Sequence, residues 1–296
     1  MFKNLNAEIL GVSARQSELI ELSLTYRFKG IDLDMASMAK RVVEQGDKLA
    51  YRYLENAPLY IGGFDLPVHW QGPESDYKAD LAKLAEIVEV ASVLKAQRCY
   101  TTVLPASDEL PFQENFETCR QRLTEIAGVL ESKDIRIGLR LLAAAAHRKD
   151  KQFEFIHQAE TMLALLKTVA TANVGLALDT WDWTVGGGGM EQLQELTADQ
   201  IVLVRLADVP AKAELASIDE RDRLLPGSNE TSNIDGILLL LAEKGYDGPI
   251  SVCPDPSQLE GLSRDAVLRK VSETLDERYK AAGLSKSGKV VAVAEA

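Results

Sequence analysis

The sequence predicts a single (β/α)8 barrel, and three observations carry that expectation. Eight apolar runs of strand length are spaced along the chain. Patterns of helical period lie between them. No linker or internal repeat divides the 296 residues. Strands alternating with helices imply parallel pairing, because each helical crossover returns the chain to the same edge of the sheet. Eight such units can close on themselves, and barrels of about 250 residues are built as one domain. A doubly wound open sheet is the alternative arrangement of the same elements.

The strands are expected at Ile9 to Ala14, Gly30 to Met35, Leu59 to Leu66, Gln97 to Leu104, Ile135 to Leu141, Val174 to Asp179, Ile201 to Asp208 and Pro249 to Pro254. Most are rich in Val, Ile and Leu, as strands buried on both faces must be. Among the helices, Leu84, Ile87, Val88, Ala91 and Leu94 recur at three- and four-residue spacing, as do Leu123, Ile126, Ala127 and Leu130. Met162, Leu165, Leu166 and Val169 repeat the pattern, which gives an amphipathic helix its apolar stripe. Ser232 followed by Asp235 reads as a capping box opening a helix from Ile234 to Lys244, with Gly245 closing it. The barrel is expected to occupy residues 1–281. Residues 282–296, small, polar and rich in Lys, Ala and Val, are expected to form a flexible tail.

The formal net charge of −12 argues against nucleic acid and anionic membrane as partners. The longest unbroken aliphatic run, Ile237 to Ala242, is too short to span a bilayer, and the opening MFKNLNAEIL has no signal-peptide pattern. Cys99, Cys119 and Cys253 are odd in number and lack the paired spacing of a zinc or redox site. They read as reduced thiols of a cytoplasmic protein.

In such barrels the chemistry sits at the carboxyl ends of the strands. That rule selects His69 and Trp70 after strand three, Arg140 at the end of strand five, Asp179, Trp181 and Asp182 after strand six, Arg205 and Asp208 on strand seven, and Cys253 and Asp255 on strand eight. Arg221 and Arg223 fall in the long loop before Pro226-Gly227. Gly186 to Gly189 precede a helix but lack the Lys of a phosphate-binding loop, and read as a flexible connection.

Several runs then carry a resemblance. VGLALDTWDW resembles strand six of the xylose isomerase-like superfamily of sugar phosphate isomerases and epimerases. IVLVRLADVP resembles its strand seven, and RDRLLPGS with IDGILLLLAEKGYDGPISV its Arg–x–Leu–Pro–Gly stretch and the turn into strand eight. CYTTVLPASDELPFQENF resembles strand four and its loop in one subgroup, and the likeness runs from about residue 7 to 280.

The resemblance implies a carbohydrate isomerase or epimerase with one divalent metal, such as Mn²⁺ or Mg²⁺, held by Glu, Asp, His and Glu from strands five to eight. Here those positions read Arg140, Asp179, Arg205 and Cys253, and the substrate-contacting His reads Asp182. One carboxylate and two guanidiniums make a poor site for a divalent cation, so no metal cofactor is expected. Arg140 or Arg205 is instead expected to pair with Asp179, because a buried carboxylate needs a cation. An anionic ligand, a sugar phosphate or sugar acid, is the alternative partner of either arginine, held against His69, Trp70, Trp181, Asp182 and Arg223. Asp179 is the candidate catalytic base. The other reading is a non-catalytic ligand-binding or scaffolding descendant. A nucleic-acid-cleaving relative would need many metal-ligating His, and the chain has three.

Overall fold

The computed structural model describes residues 1–169, 171–229 and 231–291. Eight parallel strands close into a barrel: β1 (Phe2–Leu5), β2 (Gly30–Asp32), β3 (Tyr60–Asp65), β4 (Arg98–Thr102), β5 (Arg136–Arg140), β6 (Val174–Asp179), β7 (Ile201–Leu206) and β8 (Pro249–Val252). They follow in chain order around the ring, and β1 closes it on β8 with Phe2 opposite Pro249. β6 and β7 are buried at every position, which explains their continuous apolar runs.

The first strand corrects the sequence reading. Ile9 to Ala14 is a turn, closed by the Val12 N–H on the Ala7 carbonyl, and the strand is the polar FKNL before it. The misreading has a physical cause. Lys3 is buried but donates to Ser272 Oγ and to Asp276, and Asn4 points its amide at Asp32 and Ser251. Polar side chains satisfied by distant partners leave no apolar signature in the local sequence.

Ten α-helices are described, α1 (Gln16–Thr25) to α10 (Arg264–Ala281) in chain order. α4 (Glu74–Val93), α5 (Phe112–Glu131) and α6 (Ala159–Val169) bury the expected stripes, including Leu84, Val88, Leu123, Ile126, Met162 and Leu165. α9 (Ile234–Glu243) is present, and Gly245 beyond it takes φ +76° as a helix-terminating glycine does. The expected capping box is not. Asn233 precedes the helix in a left-handed conformation, and Ser232 is buried, its N–H on Asp208 and its hydroxyl accepting from the Val209 N–H. Within the expected tail, Ala282 and Leu284 are buried and Leu284 bridges Val290. Residues 292–296 lie outside the described residues.

At the carboxyl end of the barrel, Ala106–Ser107 after β4 pairs antiparallel with Phe153–Glu154 after β5, tying two mouth loops together. Among the described residues no helix is long and apolar enough to cross a membrane.

Candidate active site

Asp179 is the last residue of β6 and the N-cap of α7 (Thr180–Val185). Its Oδ1 accepts from the backbone N–H groups of Trp181 (3.1 Å) and Asp182 (3.2 Å). One turn into α7, Asp182 accepts from the Ala143 N–H (2.9 Å). Both carboxylates are buried, and the cation they share is Arg223. Its Nη1 donates to Asp179 Oδ1 (2.9 Å) and Oδ2 (3.0 Å), and its Nη2 donates to Asp182 Oδ2. Arg223 is buried, and its guanidinium lies 4.6 Å from the centre of the Trp181 ring.

The long loop is brought over the barrel by backbone pairing. Asp208 and Leu224 exchange both N–H···O bonds, and the Asp255 N–H donates to the Arg223 carbonyl. The Asp208 carboxylate, fully buried, accepts from the backbone N–H groups of Val209, Asn229 and Ser232 and so holds both ends of the loop. Arg223 is therefore tied at its backbone although it lies in an irregular segment.

The expected pairing of Asp179 with Arg140 is present as an ion pair, but not at hydrogen-bonding distance; the hydrogen-bonded cation is Arg223. Arg140 Nη1 is 3.9 Å from Asp179 and 3.7 Å from Asp182, within ion-pair range but too far for hydrogen bonds, and Arg140 Nε donates to Thr102 Oγ1 (3.2 Å). Arg205 lies 4.3 Å from the centre of the Tyr100 ring. Burial alone would raise the Asp179 carboxyl; the charges of Arg223 and Arg140 outweigh it and hold the group below its ordinary value. Asp182 is raised, by burial and by the Asp179 charge beside it, against the pull of Arg223. Burial, then the Asp179 charge, pushes the Cys253 thiol up, so it is not a ready nucleophile.

Other expected contacts lie elsewhere. Trp181 is fully buried under Arg223 and cannot stack on a ligand, and Asp182 has no exposed surface to offer a sugar hydroxyl. Trp70 is buried with its indole N–H on Thr101 Oγ1 (2.9 Å). His69 is exposed at the surface with Nδ1 2.6 Å from Asp80. The structure thus brings Arg140, Asp179, Asp182, Arg205 and Arg223 together, and leaves His69 and Trp70 outside the cluster. Of the glycines 186–189, Gly186 and Gly188 are required by close packing. A Cβ on Gly188 would lie 2.3 Å from the Trp183 ring, and the Gly189 carbonyl accepts from the Trp183 indole N–H.

The structure adds residues at the ends of the early strands that the sequence reading missed. Asp32 ends β2 and accepts from Asn4 (2.8 Å), Asn6 (2.7 Å) and the Tyr100 hydroxyl (3.4 Å). Burial pushes its carboxyl up to about 6, although the Arg205 charge and the two Asn amides oppose this. Asp65, at the exposed end of β3, lies within the electrostatic reach of Arg205 and Arg140. The strand-end rule that found Asp179 selects Asp32 and Asp65 as well. Asn4 and Asn6 were hidden because the first strand was placed too late.

The donor set does not fit a divalent ion. Both oxygens of Asp179 are occupied by Arg223, and Arg140 and Arg205 stand at two of the other three positions. Among the described residues no three His, Cys, Asp or Glu converge to hold a metal.

The eight parallel strands closing in chain order, with loops and helices returning between them, define a (β/α)8 barrel. The sequence profile described as xylose isomerase-like TIM barrel matches residues 21–277, and the chain belongs to that family. The inosose isomerase of Halalkalibacterium halodurans is 22% identical over 204 residues, 69% of each protein. Among solved structures, a xylose isomerase domain protein from Alicyclobacillus acidocaldarius superposes with a TM-score of 0.84 at 19% identity, over 95% of this chain and 99% of that one. The IOLI protein with a binding zinc atom gives 0.77 at 16% identity over the same shares. The D-psicose 3-epimerase of Clostridium cellulolyticum H10, in complex with D-tagatose, gives 0.69 at 14% identity, again over 95% and 99%. At these identities the structural likenesses speak for the fold.

Proposed function

We propose that this protein is a carbohydrate isomerase or epimerase that moves a proton on a sugar or sugar acid at the barrel mouth without a divalent metal. The observation that carries the reading is the Arg223 fork on Asp179 and Asp182, which puts a covalently attached cation where the resemblance places a metal. The class of substrate is supported by the family and by the inosose isomerase relative.

The division of labour follows from exposure. Arg223, Asp179 and Asp182 are consumed by one another, so Asp179 is a structural anchor here and not the base. Arg140, whose side chain is 19% exposed and meets Asp179 and Asp182 only at ion-pair distance, keeps guanidinium N–H groups to donate to a carbonyl or carboxylate oxygen of the ligand. Asp32, held near 6, is suited to take a proton near neutral pH. In the ionised form it removes the proton from the carbon next to the substrate carbonyl. The electron pair moves onto the carbonyl oxygen, a guanidinium stabilises that oxygen, and the proton is then returned to carbon.

The test is proton exchange. Candidate sugars, sugar phosphates and sugar acids are incubated with the protein in D₂O and followed by NMR. Exchange of the proton beside the carbonyl is expected, with Asp32→Asn slowing it at least about a hundredfold, as for loss of an acid–base group. Saturable binding of such a compound with no exchange at any pH from 5 to 9 would replace this reading with a non-catalytic ligand-binding descendant. Exchange unchanged in Asp32→Asn would remove Asp32 from the role.

A further inference from the structure

At the opposite end of the barrel, where the strands begin, a cavity of about 1200 Å³ opens between β1, β3, β4 and the segment before β8. Ligand sites of ordinary size fall at about 300–1,000 Å³, so it has room for a small molecule. Its charge runs against that of the chain. Seven Lys and Arg line it and only three Asp and Glu, in a protein of net charge −12.

Two of the three acids are already engaged. Asp276 pairs with Lys3 (2.8 Å) and Asp247 with Arg98 (2.8 Å). Arg27, Lys29, Lys95, Lys286 and Lys289 have no carboxylate within ion-pair distance among the described residues, and all five are exposed. Five unpaired cations around one cavity repel one another, and an anion removes that cost. The buried Arg98 adds an independent sign. Its Nε is enclosed and has no hydrogen-bond partner among the described residues. A buried guanidinium N–H without an acceptor is costly, and Arg98, held to Asp247 through Nη2, keeps donor capacity at the cavity wall. The remaining wall is apolar and aromatic. Phe2 and Tyr60 set their rings 5.1 Å apart at a tilt of 36°, and Tyr60 is 65% exposed.

We propose that this basal cavity binds a small phosphorylated metabolite carrying at least two negative charges and a planar or apolar part, the class to which nucleoside diphosphates belong. The phosphates lie among the lysines and Arg98, and the planar part lies against Phe2 and Tyr60. The site is separate from the mouth, so occupancy there and chemistry at Asp32 are linked only through the barrel.

The experiment is calorimetric titration of the full chain with ADP, adenosine and inorganic phosphate, in parallel with the Lys29→Glu/Lys289→Glu double variant and with Arg140→Ala. ADP is expected to bind at least tenfold more tightly than adenosine or phosphate. The double variant is expected to lose at least tenfold in affinity, while Arg140→Ala keeps the parent value. Affinity for ADP should also fall as salt is raised from 50 to 200 mM. Both lysines are exposed, so the double variant should fold, and its melting curve checks this. If it does not fold, Tyr60→Ala, expected to weaken ADP but not phosphate, takes its place. No binding of ADP at millimolar concentration would overturn the proposal. So would equal affinity in the double variant, or loss in Arg140→Ala, which would put the anion at the mouth. Binding of the protein to phosphatidylserine vesicles with no response to ADP would assign the patch to a lipid surface instead.

Discussion

Two carboxylates decide how the mouth behaves, and they are governed by opposite terms. Asp179 is buried yet held ionised, because Arg223 donates to both its oxygens and two backbone N–H groups of α7 add to the first. Asp179→Ala leaves the buried Arg223 with Asp182 as its one hydrogen-bonded carboxylate and Glu220 at 3.9 Å, and removing one member of such a pair typically costs about 3–5 kcal/mol. Urea unfolding is expected to show a loss of about 3 kcal/mol; a loss under about 0.5 kcal/mol, typical of surface changes, would mean the fork contributes little.

Asp32 works the other way. Burial raises its folded-state pKa from 3.8 to about 6, so its ionised form is the disfavoured one in the folded protein. Below about pH 4 the group is protonated folded or unfolded and costs nothing. Between about pH 4 and 6 the unfolded chain ionises more readily, stability falls as pH rises, and above about 6 the cost is complete. Asp32→Asn keeps the shape without the charge. Its stability relative to the parent is expected to rise by up to about 3 kcal/mol between pH 4 and 7 and then to level off. Unfolding midpoints of the pair measured at several pH values check this, and a difference that stays flat would show that Asp32 is solvated as an ordinary carboxylate.

At the level of elements, legibility tracked how local the stabilising contacts are. α4, α5 and α6 bury apolar stripes against the sheet, and a stripe is written into consecutive turns of one helix. β6 and β7 are buried on both faces, so their composition alone announces them. β1 is stabilised through Lys3 to Asp276 and Asn4 to Ser251, partners about 270 and 250 residues away, and nothing local distinguishes it from a loop. The start of α9 failed for a related reason. Ser232 has the chemistry of a cap, but Asp208 and Val209 take its hydrogen bonds for the β7 loop. The Asp179 cluster was legible in its members and not in its pairing. Strand-end position identified Arg140, Asp179 and Arg205, whereas the choice of Arg223 as the partner depends on the Asp208–Leu224 bridge, a contact across 16 residues of irregular chain.

For the molecule as a whole, the question is what cross-links the carboxyl end of the barrel. Arg140 comes from β5, Arg205 from β7 and Arg223 from the loop after β7, and they surround carboxylates set on β6 and α7. Each cation is part of the chain, so neutralising Asp179 and Asp182 is completed by folding and needs nothing from solution. A mouth built this way is expected to have stability independent of free divalent ions. An ion that binds only the folded state adds RT ln(1 + [L]/Kd), about 2.7 kcal/mol at a hundredfold excess over Kd, which raises a melting midpoint by several degrees in a domain of this size. Neither EDTA nor millimolar Mn²⁺ is therefore expected to shift the melting midpoint by more than about 1 °C, and elemental analysis after dialysis should find far less than one metal per chain. The Arg223→Ala variant sharpens the measurement. It leaves Arg140, 3.9 Å from Asp179 and 3.7 Å from Asp182, beside both carboxylates, so this variant is expected to melt below the parent and still to show no shift with Mn²⁺. A drop of several degrees when the parent meets EDTA would show instead that a metal is bound elsewhere in the barrel or that the fork opens to admit one.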